Sequence, residues 1–187
     1  METIIVAGLG RCGSSLVMQM LAASGFNMTG NYPAFEDARI NQRSTKSLFF
    51  GEWKGKAVKV IDPHRYDLAT DGCRIVWLSR NEKEQAKSIS KFGNMMLGLP
   101  EYNRAELRKL EKCLKRDRLK CLQMFKRSGV PFVEISFERL VEKRGEEAYK
   151  IARFVGGNVV LMSKVIRDRT AKCYPGLLEL ELLQAGS

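Results

Sequence analysis

Residues 3–24, TIIVAGLGRCGSSLVMQMLAAS, constrain the chain more than any other stretch. Thr3, Ile4, Ile5, Val6 and Ala7 form a β-branched, apolar run closed by glycine, the pattern of a strand buried on both faces. Gly8, Gly10 and Gly13 then break regular structure, and Ser14 and Ser15 open a second apolar run. In that run Leu16, Val17, Met20 and Leu21 recur at helical spacing. A strand, a glycine-rich turn and a helix together make a cradle for an anion. The glycines let backbone N–H groups approach it, and the positive end of the helix dipole points at it.

The details of the turn narrow its chemistry. A loop that holds ATP or GTP reads G-x-x-x-x-G-K-[ST]. Gly8 to Gly13 has that spacing, but Ser14 stands where the lysine belongs, and Arg11 is the one cation in the turn. GRCGSSL (Gly10–Leu16) resembles the 5′-phosphosulfate loop of the sulfotransferases, usually P-[KR]-[ST]-G-[ST]-[ST]-x-L, with Gly10 for the proline and Cys12 for the first hydroxyl residue. The resemblance implies an α/β, P-loop NTPase-like fold of three layers, a central parallel sheet flanked by helices. It implies 3′-phosphoadenosine-5′-phosphosulfate (PAPS) as cofactor and 3′-phosphoadenosine-5′-phosphate (PAP) as product. Gly10, Arg11, Cys12, Gly13, Ser14 and Ser15 would then hold the 5′-phosphosulfate, and Arg11 would stabilise the transferring group and the leaving oxygen.

A second segment agrees. Arg80-Asn81-Glu82-Lys83-Glu84-Gln85-Ala86-Lys87-Ser88 follows an apolar run, Arg74–Leu78, that reads as a strand. Arginine offers forked, permanent charge to a phosphate, and serine adds a directional hydroxyl. This resembles the sulfotransferase 3′-phosphate motif, a strand followed by R-[DN]-P-x-x-x-x-x-S, with Glu82 in place of proline. Arg80 and Ser88 are therefore expected to bind the 3′-phosphate, the group that separates PAPS from ATP. KVIDPHR (Lys59–Arg65) resembles a K-x-x-D-P-R-like segment of bacterial sulfotransferases, with His64 inserted, and PFVEISFERLVEK (Pro131–Lys143) is similar to the family's strand-then-YEDL segment. The matches span roughly residues 3–155; the R-K-G-x-x-G segment of the cytosolic enzymes is not found in the tail.

The remaining elements are expected as a helix over 38–50, strands at 56–61 and 131–135, and a helix at 82–91 with an exposed loop at 93–102. A long helix at 104–127 carries Leu107, Leu110, Leu114, Cys121 and Phe125 as an apolar stripe, and two short helices follow at 137–143 and 146–155. Strands alternating with helices argue for a parallel sheet, and Gly8, Asp62 and Arg80, each directly after a strand, should share its ligand-binding edge. At 187 residues the chain is expected to be one domain.

Charge and cysteine content set the class. The five cysteines, at 12, 73, 113, 121 and 173, form no C-x-x-C pair, which suggests neither a disulfide framework nor a zinc site and fits a reducing, cytoplasmic location. Cys12 sits at a helix N-terminus, a place that can lower a thiol pKa, but without a recognisable partner base it is given no catalytic role. No apolar run reaches the roughly 18 residues of a membrane span. The start of the chain does not read as a signal peptide, with Glu2 where a basic cluster belongs. The net charge of +11 is concentrated in residues 104–127, with ten Lys and Arg against three acids. That helix suits an anionic partner, or is a solvated face; it shows no motif for reading a nucleic acid.

Three residues are candidates for the base that deprotonates the acceptor. Glu36 ranks first because several sulfotransferases use a glutamate in this region; His64, the one histidine, ranks second for its pKa near 6.5; Asp62 ranks third. Glu36 and Asp37 equally suit the first turn of a helix. The acceptor would be a small molecule or a glycan bearing a hydroxyl or amine. A P-loop kinase or hydrolase and a PAP-binding module without activity are the alternative readings.

Overall fold

The computed structural model describes residues 2–40 and 46–166. Four parallel strands form the central sheet: β1 (Thr3–Gly8), β3 (Ala57–Ile61), β5 (Cys73–Ser79) and β6 (Phe132–Ser136), in the order β3-β1-β5-β6. Ile5 lies opposite Val58 on one side and Ile75 on the other. β1 is fully buried, as its unbroken apolar run requires. The chain steps from β1 outward to β3, then crosses back over β1 to β5 and on to β6. The direction of winding therefore reverses between β1 and β5, which in such sheets opens a crevice at the carboxyl ends of those two strands.

Alternate residues of β1 serve different layers. Ile4 and Val6 pack with α1 (Ser14–Ala23), α4 (Phe137–Glu142), α5 (Arg144–Val155) and α6 (Val159–Val165), through Met20, Leu140, Ile151 and Met162. Ile5 and Ala7 face the other layer, where Leu114, Cys121 and Phe125 project from α3 (Arg104–Ser128) and Ala86 from α2 (Glu82–Leu97). Trp77 of β5 meets Phe125 edge-on with ring centroids 5.4 Å apart. The stripe read from the sequence of α3 is the face that closes this second layer. α3 begins in a capping box, in which the Asn103 side chain accepts from Glu106 N and the Glu106 carboxylate accepts from Asn103 N.

Two expectations need correction, and one strand is added. The helix expected over 38–50 does not form where the chain is described: residues 38–40 turn, β2 (Ser47–Phe49) is a strand, and Phe50–Trp53 is a 3-10 turn; residues 41–45 lie outside the described residues. The cause is local. The Asp37 carboxylate accepts from Arg39 N at 3.0 Å and from Trp53 Nε1 at 3.2 Å, which favours a turn over a helix start. A second strand unmarked in the sequence, β4 (Asp67–Ala69), pairs with β2 in a two-stranded sheet. α2 also runs through residues expected as loop, because Gly98 (φ 64°), not Gly93, supplies its left-handed end. The tail beyond residue 166 lies outside the described residues.

The turn after β3, Pro63–Arg65, is seated on α3 through His64. The His64 ring has Nδ1 at 3.7 Å from Cys121 Sγ and Nε2 at 3.7 Å from Asp117. Burial lowers the His64 pKa below 6.5, partly opposed by the charges of Asp117 and Asp62. A folded-state value below the unfolded one means that the unfolded chain takes up the proton more readily. This contribution to stability is then complete above about pH 6.5 and lost as the pH falls from there through the lower folded value. Urea midpoints between pH 7.5 and 5 should therefore fall with acidification, and His64→Asn should flatten that slope; an unchanged slope would show that His64 does not titrate on unfolding.

Candidate functional site at the switch point

The turn between β1 and α1 is held by side chains from three neighbouring segments. Asp62, after β3, donates its own N–H to Gly8 O (2.9 Å) and accepts from Gly10 N through its carboxylate (3.1 Å). Gln85, in the first turn of α2, donates to Leu9 O (3.2 Å) and Gly10 O (2.7 Å). Arg80, directly after β5, donates from Nη1 to Arg11 O at 2.9 Å, and its guanidinium lies 4.6 Å over the Phe137 ring. Phe137 in turn packs where a side chain at Gly13 would go: a Cβ there would stand 2.4 Å from the ring, and the φ of 97° independently calls for glycine.

Arg11 itself is in the left-handed region (φ 67°), which turns its side chain across to α2. Its Nε donates to Ser88 Oγ at 3.4 Å, and its guanidinium lies 4.6 Å over the Phe92 ring. Arg11, Arg80 and Ser88, separated by up to 77 positions in the chain, thus meet at one end of the crevice. α1 starts at Ser14 with no side-chain cap, so the N–H groups of its first turn and its positive dipole end face the turn. These donors suit an anion.

Beneath Ser15 lies a residue whose part was not singled out from the sequence. Lys59, on β3 and only 2 % exposed, donates from Nζ to Ser15 Oγ (2.8 Å), to Ala34 O (3.0 Å) and to the Glu36 carboxylate (2.8 Å). The available signal was a lysine in the middle of a strand that the topology buries on both faces, where an unpaired cation is not tolerated. Glu36 is half-exposed and is brought to this edge by the loop after α1. Gln85 likewise has no distinguishing signal in the sequence, reading as one polar residue among many on α2.

The other candidate bases are placed differently. Asp62 is part of the turn's own bonding, as above. Both ring nitrogens of His64 face α3, away from Ser15 and Glu36 in bonding terms. Cys12 reverses its expectation. Its thiol is buried, and burial pushes its pKa up to about 11 against the opposing pull of the Ser14 N–H and the Lys59 charge. The helix-end effect is present but smaller than desolvation. Beyond Arg80, a polar cavity of about 580 Å³ opens beside the carboxyl ends of β5 and β6, lined by Asn81 and Ser136 and by charges of both signs, Arg118, Arg139 and Lys150 among Glu82, Glu134, Glu138 and Glu147. Among the described residues no cluster of His, Cys, Asp or Glu could hold a metal ion.

The architecture is that of an α/β protein with its ligand edge at the switch of a parallel sheet. More specifically, the chain has the P-loop-like fold of the sulfotransferases. It superposes on mouse sulfotransferase SULT7A1, solved with PAP, at a TM-score of 0.61 and 16 % identity, covering 89 % of this chain and 63 % of that one. It superposes on retinol dehydratase, solved with androsterone and the inactive cofactor PAP, at 0.51 and 12 % identity, covering 87 % and 62 %. The chain thus spans less than two thirds of the length of these neighbours. No family model and no curated protein sequence matches it.

The close packing under the turn is itself testable. A Cβ at Gly8 would fall 2.2 Å from Cys12 Sγ and 3.1 Å from Leu78 O. Gly8→Ala should therefore cost about 1–3 kcal/mol of stability as overpacking. Because the sulfur is the nearest obstacle, Cys12→Ala should recover part of that loss in the double variant. Chemical denaturation of the four proteins measures the coupling; strictly additive losses would show that the sulfur is not the obstacle.

Proposed function

We propose that the chain is a PAPS-dependent sulfotransferase that moves a sulfuryl group to a hydroxyl or amine acceptor and releases PAP. The observation that carries this reading is the junction of the turn after β1 with Arg80 and Ser88, through Arg80 Nη1 to Arg11 O and Arg11 Nε to Ser88 Oγ. A phosphate cradle alone fits many nucleotides; a second arginine and serine at the same edge fit one with an additional phosphate. Both solved neighbours were crystallised with PAP, which supports the same cofactor here.

When bound, PAPS supplies an activated sulfuryl group. The N–H groups of Gly13–Ser15 and the Ser14 and Ser15 hydroxyls hold its 5′ end, while the Cys12 N–H closes the turn on Leu9 O (3.2 Å) and Gly10 lets the backbone approach; no atom stands within 4 Å of a Cβ at Gly10. Arg80 and Ser88 take the 3′-phosphate, and the cavity beyond Arg80 receives the adenosine. Arg11 neutralises charge on the transferring group and on the leaving phosphate oxygen. Glu36 would take the acceptor proton as the sulfuryl group passes from the 5′-phosphate oxygen, which keeps the bonding electrons, to the acceptor oxygen or nitrogen. Such in-line transfer depends on positioning and charge stabilisation more than on covalent chemistry. Glu36 is preferred to His64 as base because it shares the Lys59 ammonium with Ser15 of the cradle, whereas His64 is engaged by α3. The missing lysine after Gly13 weighs against a kinase.

Calorimetric titration with PAP, ATP·Mg²⁺ and AMP tests the assignment. PAP should bind much more tightly than either; preference for ATP·Mg²⁺ would replace the proposal with a kinase or hydrolase. Arg80→Ala should weaken PAP by about 10–100-fold, the worth of a hydrogen bond to a charged group, and AMP by far less. Equal losses for the two ligands would make Arg80 a brace of the turn and nothing more. Arg11→Ala should lower turnover by about 100-fold or more while changing PAP affinity only a few-fold, measured by release of PAP from PAPS; an unaltered rate would remove Arg11 from the transfer step.

A further inference from the structure

α3 carries ten Lys and Arg side chains against three acids. Nine of the ten are exposed; the other, Arg118, is turned inward to Glu82 and Glu134. At about 100° per residue the nine occupy about 160° of the helix circumference, opposite the buried stripe of Leu114, Cys121 and Phe125. Glu106, Glu111 and Asp117 all fall outside that arc. Asp117 is shared by Arg116 (3.1 Å) and Lys120 (3.2 Å), while Arg104, Arg108, Lys109, Lys112 and Lys115 make no ion pair among the described residues. Residues 104, 108, 112, 116 and 120 form an unbroken ladder of positive charges four apart, an arrangement that destabilises a helix. A face needed only for solvation would be better served by alternating signs.

The arc also runs past the ligand edge. α3 crosses that edge at Asp117 and Arg118, which meet His64 after β3 and Glu82 at the start of α2. From there it descends to Phe125, whose ring meets that of Phe132, at the beginning of β6, at a tilt of 50°. The thirteen residues before Asp117 therefore extend about 20 Å beyond the edge. They pack along α2, whose Ser88 and Phe92 receive Arg11.

We propose that the outward face of α3 docks a linear polyanionic acceptor, a carboxylated or sulfated glycan, along the stretch that extends past the ligand edge. The proposal rests on the sulfuryl-transfer reading for the fate of the docked chain, not for its binding. Charge complementarity selects a polyanion. The arc carries no aromatic side chain on which bases could stack, which favours a glycan over a single-stranded nucleic acid. A glycan also presents the hydroxyl or amine that the reaction consumes.

The test is binding of a labelled heparin hexasaccharide to the full chain at about 0.15 M salt, beside duplex DNA of equal charge. The hexasaccharide should bind in preference to DNA. Lys112→Glu/Arg116→Glu, next to the edge, should weaken it by at least about tenfold, and Lys126→Glu/Arg127→Glu, at the far end, by clearly less. Circular dichroism confirms that the variants fold, and unchanged PAP affinity confirms that the cofactor site is untouched. Tighter binding to DNA, equal losses from the two variants, or no binding to the hexasaccharide would each overturn the proposal. Hexasaccharide binding with this pattern but no PAP binding would keep the docking surface and remove the sulfotransferase reading.

Discussion

A backbone that turns sharply between a buried strand and a helix exposes N–H and C=O groups that neither element can satisfy, and burying them unmet is costly. Here the solution comes from outside the turn. Gly10 N is met by Asp62, Leu9 and Gly10 carbonyls by Gln85, and Arg11 O by Arg80. Each of these side chains sits at or just beyond the carboxyl end of a strand or in the first turn of the following helix, so the order of strands decides whether they can arrive together. The turn's shape is therefore a product of the whole sheet. The same dependence explains why Cys12 is a packing residue: its sulfur fills the space under Gly8, and the strand cannot carry a side chain there.

Elements set by local pattern were legible in the sequence. β1, β5 and α3 follow from their apolar runs and stripe, and the convergence of Gly8, Asp62 and Arg80 follows once the sheet is taken as parallel. Arg80 and Ser88 were legible through their spacing and a family resemblance. Lys59, Glu36 and Ser15 were not legible as a unit, because their contacts join positions 23 and 44 apart and depend on how the loop after α1 folds back. The misplaced helix at 38–50 has a different origin: an acidic residue at a suitable position reads as a helix start, yet Asp37 uses its carboxylate on Arg39 and Trp53 instead. For Cys12 two opposing effects were both real, and their order of size depended on burial that sequence does not state.

The Lys59 ammonium addresses an electrostatic conflict. A carboxylate positioned to take a proton beside a site for a multiply charged anion would repel that anion, and the anion would repel it. A buried cation between Glu36 and Ser15 screens the two from each other and holds them at fixed positions. The cation is itself tolerable in the interior because three acceptors surround it, one of them charged. Removing Glu36 would thus leave Lys59 without its charged acceptor and disturb the cradle at Ser15, beyond any loss of the proposed base.

Positive charge in the molecule accordingly has two forms. Near the turn it is sparse and individually placed: Arg11, Lys59 and Arg80 each have specified acceptors or rings, and at least two are buried. On α3 it is dense, exposed and, among the described residues, mostly without ion pairs, a surplus of seven in one helix of a chain whose net charge is +11. The first form suits a ligand of fixed geometry, held by directional bonds in a low-dielectric crevice. The second suits an extended ligand read by charge alone, attracted over the range of a Debye length and free to slide. The proposed transfer between a compact charged donor and a chain-like acidic acceptor would call on both forms, and α3, which meets the turn after β3 through His64, carries the second form past the edge that holds the first.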